Sequence, residues 1–284
     1  MAGADDPAAT GWGCAPSLLF VEHTQQKKNV GRRLPTSHRQ VGYARLAQTG
    51  YNVPMGIFIT FEGPEGCGKS TQARLLYERL QGLGYPVILT REPGGTRISE
   101  LIRRIVVDLR HTEMAPTTET LLFSAARAQL VSELIRPYLN TGGIVLCDRY
   151  ADSTFAYQGY GLGRDLDELQ AITTVATGGL MPDLTFYLDL PVEEGLRRKQ
   201  AAKERAEQST PGATFSTPPE WNRLDARDLA YHQRVAAGFA ELIRQDPGRW
   251  RSLSADQPIV ALADQIVYEA EPLLKRVTRL GADR

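Results

Sequence analysis

The spacing of apolar and polar positions changes period along this chain, and each change marks an element. Short, nearly continuous apolar runs rich in β-branched and aromatic residues occur at Gly56-Ile57-Phe58-Ile59-Thr60-Phe61-Glu62, Pro86–Thr90, Gly143–Asp148, Leu184–Leu190 and Trp250–Ser254. Runs of this kind predict strands buried on both faces. Between them the apolar residues recur at helical spacing, which predicts helices over Thr71–Leu83, Ile98–Asp108, Thr117–Leu139, Leu166–Thr177, Val192–Glu207, Ala226–Asp246 and Ile259–Thr278. Strands alternating with helices predict an α/β fold, a five-stranded parallel sheet with helices on both faces.

Two stretches fall outside this rhythm. Residues 1–54 mix Gly, Pro, Gln, Thr and Asn without a persistent apolar face, and read as a disordered N-terminal extension before one domain over 55–284. Met55 stands one residue before the first strand, and the alternative to a disordered extension is an upstream start codon chosen in error. The second stretch, Ser209–Pro219, is rich in Pro, Ser and Thr and reads as a mobile loop between two charged helical segments.

Composition narrows the class. The 33 Lys and Arg balance 33 Asp and Glu, so there is no overall field to recruit nucleic acid or an acidic membrane surface. Cys14, Cys67 and Cys147 are scattered and odd in number, which fits free thiols in a reducing compartment. No apolar run approaches the ~20 residues of a membrane span. The expectation is a soluble cytoplasmic protein.

The chemistry is concentrated after the first strand. Gly63-Pro64-Glu65-Gly66-Cys67-Gly68-Lys69-Ser70, followed by Thr71, matches G-x-x-x-x-G-K-[ST]. A strand precedes it and a helix follows it, the context in which backbone N–H groups and a helix N-terminus converge on phosphate oxygens. Lys69 is expected in solvent until it meets the β/γ-phosphates, and the Ser70 hydroxyl is expected on Mg²⁺. Phe123 and Arg127 lie one helical turn apart and so share a face, where they would suit either core packing or a base that needs stacking and a hydrogen-bond donor.

Four segments together carry a resemblance. Phe61–Thr71, Arg91-Glu92-Pro93-Gly94-Gly95-Thr96, Leu121–Gln129 and Asp148–Gly159 resemble, in order and spacing, the bacterial thymidylate kinase family, from about Met55 to about Val267. The resemblance implies a P-loop NTPase fold of three α/β/α layers with a helical lid. It implies transfer of the γ-phosphoryl group of ATP to thymidine monophosphate, a step toward dTTP, in a homodimer paired through helices that flank the sheet.

Site residues follow from the same likeness. Arg91, Glu92 and Pro93 would shape the monophosphate pocket, with an accessible cis bond at Glu92–Pro93. Phe123 would stack on thymine and Arg127 would donate to an exocyclic oxygen. Asp148 would hold Mg²⁺ through water and Arg149 would clamp the phosphates of donor and acceptor. Thr154 and Gln158 would lie at the base edge, Tyr157 against the sugar, and Glu65 near the acceptor sugar and the metal. Gly66 stands where one branch of the family has arginine, so the transition-state cation is expected from a lid over about 195–225. Arg198 and Arg223 match the family best there, with Arg205 as a third option. The other readings are a kinase for a different nucleoside monophosphate and a nucleotide-binding switch without an acceptor.

Overall fold

Five strands form where the apolar runs predict them: β1 Ile57–Glu62, β2 Val87–Arg91, β3 Ile144–Asp148, β4 Leu184–Asp189 and β5 Trp250–Ser254. The computed structural model describes residues 56–208 and 221–279, apart from the side chains of 206–208. The extension over 1–54, Met55 and the Pro-rich segment therefore lie outside the described residues, which all belong to one unit, Leu46–Arg284. The strands pair in parallel in the order β2-β3-β1-β4-β5.

Strand geometry sends successive side chains to opposite faces. On one side of β1, Ile57, Ile59 and Phe61 pack with Leu76 and Leu80 of helix α1 (Lys69–Gly82) and with a helix at the C-terminal end of the domain described below. On the other side, Phe58 packs with Leu130, Ile135 and Leu139. Both faces are covered, which is why β1 reads as a nearly continuous apolar run.

Register then assembles the functional edge. Phe61 of β1 stands opposite Asp148 of β3, and Asp148 stands opposite Arg91 of β2. The P-loop, the Arg91–Thr96 turn and Asp148–Arg149 leave the sheet side by side at its carboxyl edge, the edge where open α/β sheets bind ligands.

The helices depart from the pattern in detail. After α2 (Arg97–Val107), the long helix expected over Thr117–Leu139 is α3 (Pro116–Leu130), a π-helical turn at Val131–Ile135 and α4 (Arg136–Asn140). Arg136 N–H reaches back five residues to Val131 O, and Pro137 has no N–H with which to continue an α-helical ladder. A short helix α5 (Ala151–Thr154) runs into a second π segment, Phe155–Gly161, before α6 (Leu166–Thr177) and α7 (Val192–Gln208). The next helix, α8 (Leu229–Gln245), starts later than periodicity suggests, because the Asp228 carboxylate caps it by accepting from Tyr231 N at 2.6 Å. The last helix, α9 (Ile259–Leu274), brings Leu262, Ile266, Ala270 and Leu274 onto the first face of the sheet.

Candidate active site

A cleft of roughly 970 Å³ opens at the carboxyl edge of the sheet. It is lined by Glu65, Gly66, Gly68, Lys69, Ser70 and Thr71 of the P-loop, by Arg91, Glu92 and Pro93, by Phe123 and Arg127, and by Asp148, Arg149, Thr154, Tyr157 and Gln158. Gly63, Pro64 and Cys67 lie behind that lining and shape the loop.

Lys69 corrects the expectation of a solvated side chain. It is buried, and its ammonium donates to Gly63 O at 3.1 Å and Pro64 O at 2.7 Å and approaches Cys67 Sγ at 3.4 Å. Ser70 Oγ donates to Asp148 Oδ2, which brings the two expected metal-binding oxygens together. Among the described residues there is no group of three or more His, Cys, Asp or Glu that would cage a metal.

Arg149 is the centre of the charge network. It is a non-glycine residue at φ 70, its N–H bonded to Phe61 O at 2.9 Å. Its guanidinium holds Glu65 Oε1 at 2.7 Å and lies 4.9 Å from the centre of the Tyr157 ring. Tyr157 Oη donates to the same Glu65 oxygen at 2.8 Å. Burial works against the Glu65 charge, yet Arg149, Lys199 and Lys69 together hold its carboxyl well below the usual range. Beneath them Glu62 accepts from Tyr150 N and from Ser153 Oγ, and burial pushes its pKa up to about 7.

The acceptor end is built around Arg127, which is 2% exposed. Its Nε donates to Glu92 Oε2 at 2.7 Å, Nη1 to Thr154 Oγ1 at 2.9 Å and Nη2 to Tyr150 O at 3.1 Å. The other oxygen of Glu92 is buried without a hydrogen bond, and burial raises this carboxyl to about 7 against the pull of Arg127. The Glu92–Pro93 bond is cis. Phe123 is half-buried beside this cluster. Arg91, more exposed, pairs with Glu100 at 3.3 Å.

The lid arginines separate. Arg198 lines the cleft and is tied to Glu194 at 2.7 Å and Asp256 at 3.3 Å. Arg223 is not among the lining residues; it is held by Glu119 at 2.7 Å and donates to Val106 O at 3.1 Å. Arg205 is not among them either, and its Nε donates to Ala201 O. Sequence reasoning missed Lys199, whose Nζ meets Glu65 at 3.3 Å and Asp225 at 2.5 Å. Its helical position next to Arg198 was legible, but its partners come from the P-loop and from beyond the Pro-rich segment. Arg74, Arg103 and Ser153 also line the cleft and were not singled out.

A phosphate loop that shares one cleft with Arg149 and with the Phe123, Arg127, Tyr157 and Gln158 side chains defines a P-loop phosphotransferase of the nucleotide-kinase class. Comparison with known proteins narrows this to one family. The thymidylate kinase family model matches residues 61–266. The chain is 68% identical to the thymidylate kinase of Roseiflexus castenholzii over 232 residues, which is 80% of this chain and 98% of that protein. It is 58% identical to that of Herpetosiphon aurantiacus over 236 residues, again 80% of this chain and 100% of that protein. The crystal structure of thymidylate kinase from Ehrlichia chaffeensis superposes with a TM-score of 0.59 at 29% identity, covering 76% of this chain and 98% of the other. The chain belongs to the thymidylate kinase family.

Proposed function

We infer that this cleft carries out the reaction of the family, phosphorylation of thymidine monophosphate to the diphosphate, with ATP as the donor. The observation that carries the reading is a single cleft lined both by Lys69 and Ser70 of the phosphate loop and by Phe123, Arg127, Thr154, Tyr157 and Gln158, with Arg149 in the same lining. The P-loop from Gly63 to Thr71 holds the ATP phosphates, and Lys69 exchanges its backbone carbonyls for phosphate oxygens. Phe123 stacks on the base and Arg127 donates to a carbonyl edge. Tyr157 packs against the sugar with Glu65 beside it, and Arg91, Glu92 and Pro93 bound the acceptor pocket.

No covalent intermediate on the protein is needed. Catalysis rests on positioning and on charge stabilisation. Ser70 and Asp148 supply the hard oxygen donors that suit Mg²⁺, a cation that keeps much of its coordination for water and phosphate; bound there it would neutralise phosphate charge. Arg198 is the lid cation. Its carboxylate partners lie at the rim, where Asp256 is 77% exposed, and such pairs exchange readily for a phosphate. Lys199, held by the buried Glu65 and Asp225, keeps the lid helix registered on the P-loop.

The finer assignments follow. The chain works in the cytoplasm, consistent with Cys67 and Cys147 being buried and unpaired. It works as a homodimer: Ile98, Leu101, Ile105 and Leu109 form an apolar stripe along α2 and just past it, each at least 40% exposed. Among the described residues no helix is long and apolar enough to cross a membrane.

The test is ADP release across a panel of nucleoside monophosphates. Strong stimulation by thymidine monophosphate alone supports the reading. A preference for another acceptor would move the chain to a different kinase specificity, and no stimulation by any would leave a nucleotide-binding switch.

A further inference from the structure

Glu119 of α3 lies at the acceptor end, fully buried, and both of its oxygens are engaged. Oε2 forms an ion pair with Arg223 Nη2 at 2.7 Å and accepts from Arg227 Nη2 at 2.6 Å, and Oε1 accepts from Gln158 Nε2 at 2.9 Å. An ionised carboxylate can only accept. The two ends of a glutamine amide are nearly the same in shape, but a partner that only accepts decides which end faces it. Gln158 must turn its NH₂ toward Glu119, which leaves its carbonyl oxygen for the cleft that it lines.

We propose that Glu119, clamped by Arg223 and Arg227, is a positioning residue that sets the pyrimidine selectivity of the acceptor site by fixing the orientation of the Gln158 amide. This rests on the reading of Gln158 as a residue of the base edge. A carbonyl presented to the base accepts from the N3–H that thymine and uracil carry. Cytosine has a lone pair at N3, and the same carbonyl repels it. Arg223, expected in the lid as a source of transition-state charge, thereby acts on specificity instead. Its contribution is made through Glu119, without touching the acceptor.

The experiment is the ratio of kcat/KM for dTMP to that for dCMP in Glu119→Gln. The two guanidinium groups will hold the carbonyl end of the new amide, whose NH₂ then faces Gln158. Gln158 has to answer with its own carbonyl and send its NH₂ into the cleft, where it matches cytosine. The ratio should fall by about 100-fold or more, because a site built for one hydrogen-bond pattern discriminates strongly against the opposite one. A purely structural role would lower both acceptors together and leave the ratio unchanged, which would overturn the proposal. Gln158→Leu is the control: it should cost activity with dTMP without raising activity with dCMP. If Gln158→Leu changes the ratio and Glu119→Gln does not, the orienting role is wrong and the base-edge reading stands. If neither changes it, the base-edge reading itself fails and takes the proposal with it.

NMR of the wild-type chain gives a measurement that needs no variant. With dTMP bound, cross-peaks from the Gln158 side-chain NH₂ should run to α3 and none to the thymine ring. Cross-peaks to the ring would overturn the assignment.

Discussion

Gly66 of the P-loop and Gly195 of the lid helix meet backbone to backbone. A Cβ on Gly66 would lie 2.0 Å from Gly195 O, and one on Gly195 would lie 2.1 Å from Glu65 O. Gly66 also sits at φ 70, in the left-handed region that glycine enters at no steric cost. The missing P-loop arginine is thus more than a missing charge: the lid helix occupies the space that any side chain there would need. The first turn of α7 rests on the phosphate loop, and Lys199, four residues on, reaches Glu65.

Gly195→Ala is expected to push α7 off the P-loop. Backbone atoms cannot rotate away from the new methyl group, so the effect should fall on activity, with kcat down by about tenfold or more for a displacement near 1 Å. Gly66→Ala adds backbone strain of about 1–3 kcal/mol and should also lower the melting temperature. Unchanged kinetics in both variants would show that the contact does not constrain the lid.

Lys69→Ala should abolish phosphoryl transfer. Because Lys69 bonds to Gly63 O and Pro64 O, the variant also loses two hydrogen bonds, each worth about 1 kcal/mol net. A fall in melting temperature of a few degrees, roughly 2–4 °C per kcal/mol, should accompany the loss of activity. Calorimetry beside an ADP-release assay checks both, and near-normal turnover would overturn the phosphate-binding role.

Glu92 predicts a pH dependence of stability. Its carboxyl holds a proton more tightly in the folded chain, near 7, than at its ordinary 4.5, because burial outweighs Arg127. Stabilisation from the protonated form is complete below the ordinary value and is lost as pH rises through 7. The loss is on the order of 3 kcal/mol over that window. Melting temperatures measured against pH should decline across it, and Glu92→Gln should flatten part of the decline. Glu62, raised to about 7 by burial in the same way, and Asp225, raised to about 6, contribute to what is left of the decline. An unaltered slope in Glu92→Gln would show that Glu92 titrates normally.

The lid cation is expected at Arg198. Arg198→Ala should lower kcat by about 10³-fold while the Michaelis constants for both nucleotides move little, since that contact strengthens as charge develops. Arg205→Ala should stay close to the parent enzyme. A normal kcat in Arg198→Ala would move the role elsewhere, with Lys199 first in line.

The apolar stripe on α2 predicts the state of assembly. Leu101→Asp with Ile105→Asp should convert a dimer to a monomer by light scattering, because a charged pair in the centre of an interface is left without partners. A parent chain that is already monomeric at micromolar concentration would remove the dimer reading.

Much of this was decided locally. The five strands, the P-loop and the order of the helices follow from period and from a contiguous motif, because neighbouring residues suffice to make a strand, a phosphate nest or a helix. The same local pattern placed Phe123 with Arg127 and Asp148 with Arg149. What it could not reach were pairings set by the approach of distant segments. Gln158 meets Glu119 across 39 positions, Lys199 meets Glu65 across 134, and Gly66 meets Gly195 only because α7 returns to the loop that follows β1. Lys69 was expected in solvent and Arg223 in the lid as a transition-state cation, and folding gave the one its own loop carbonyls and the other a buried carboxylate. Periodicity says which face of an element is buried. Which polar group waits inside that burial depends on chain closure, since each buried charge must find its partner wherever the fold brings one.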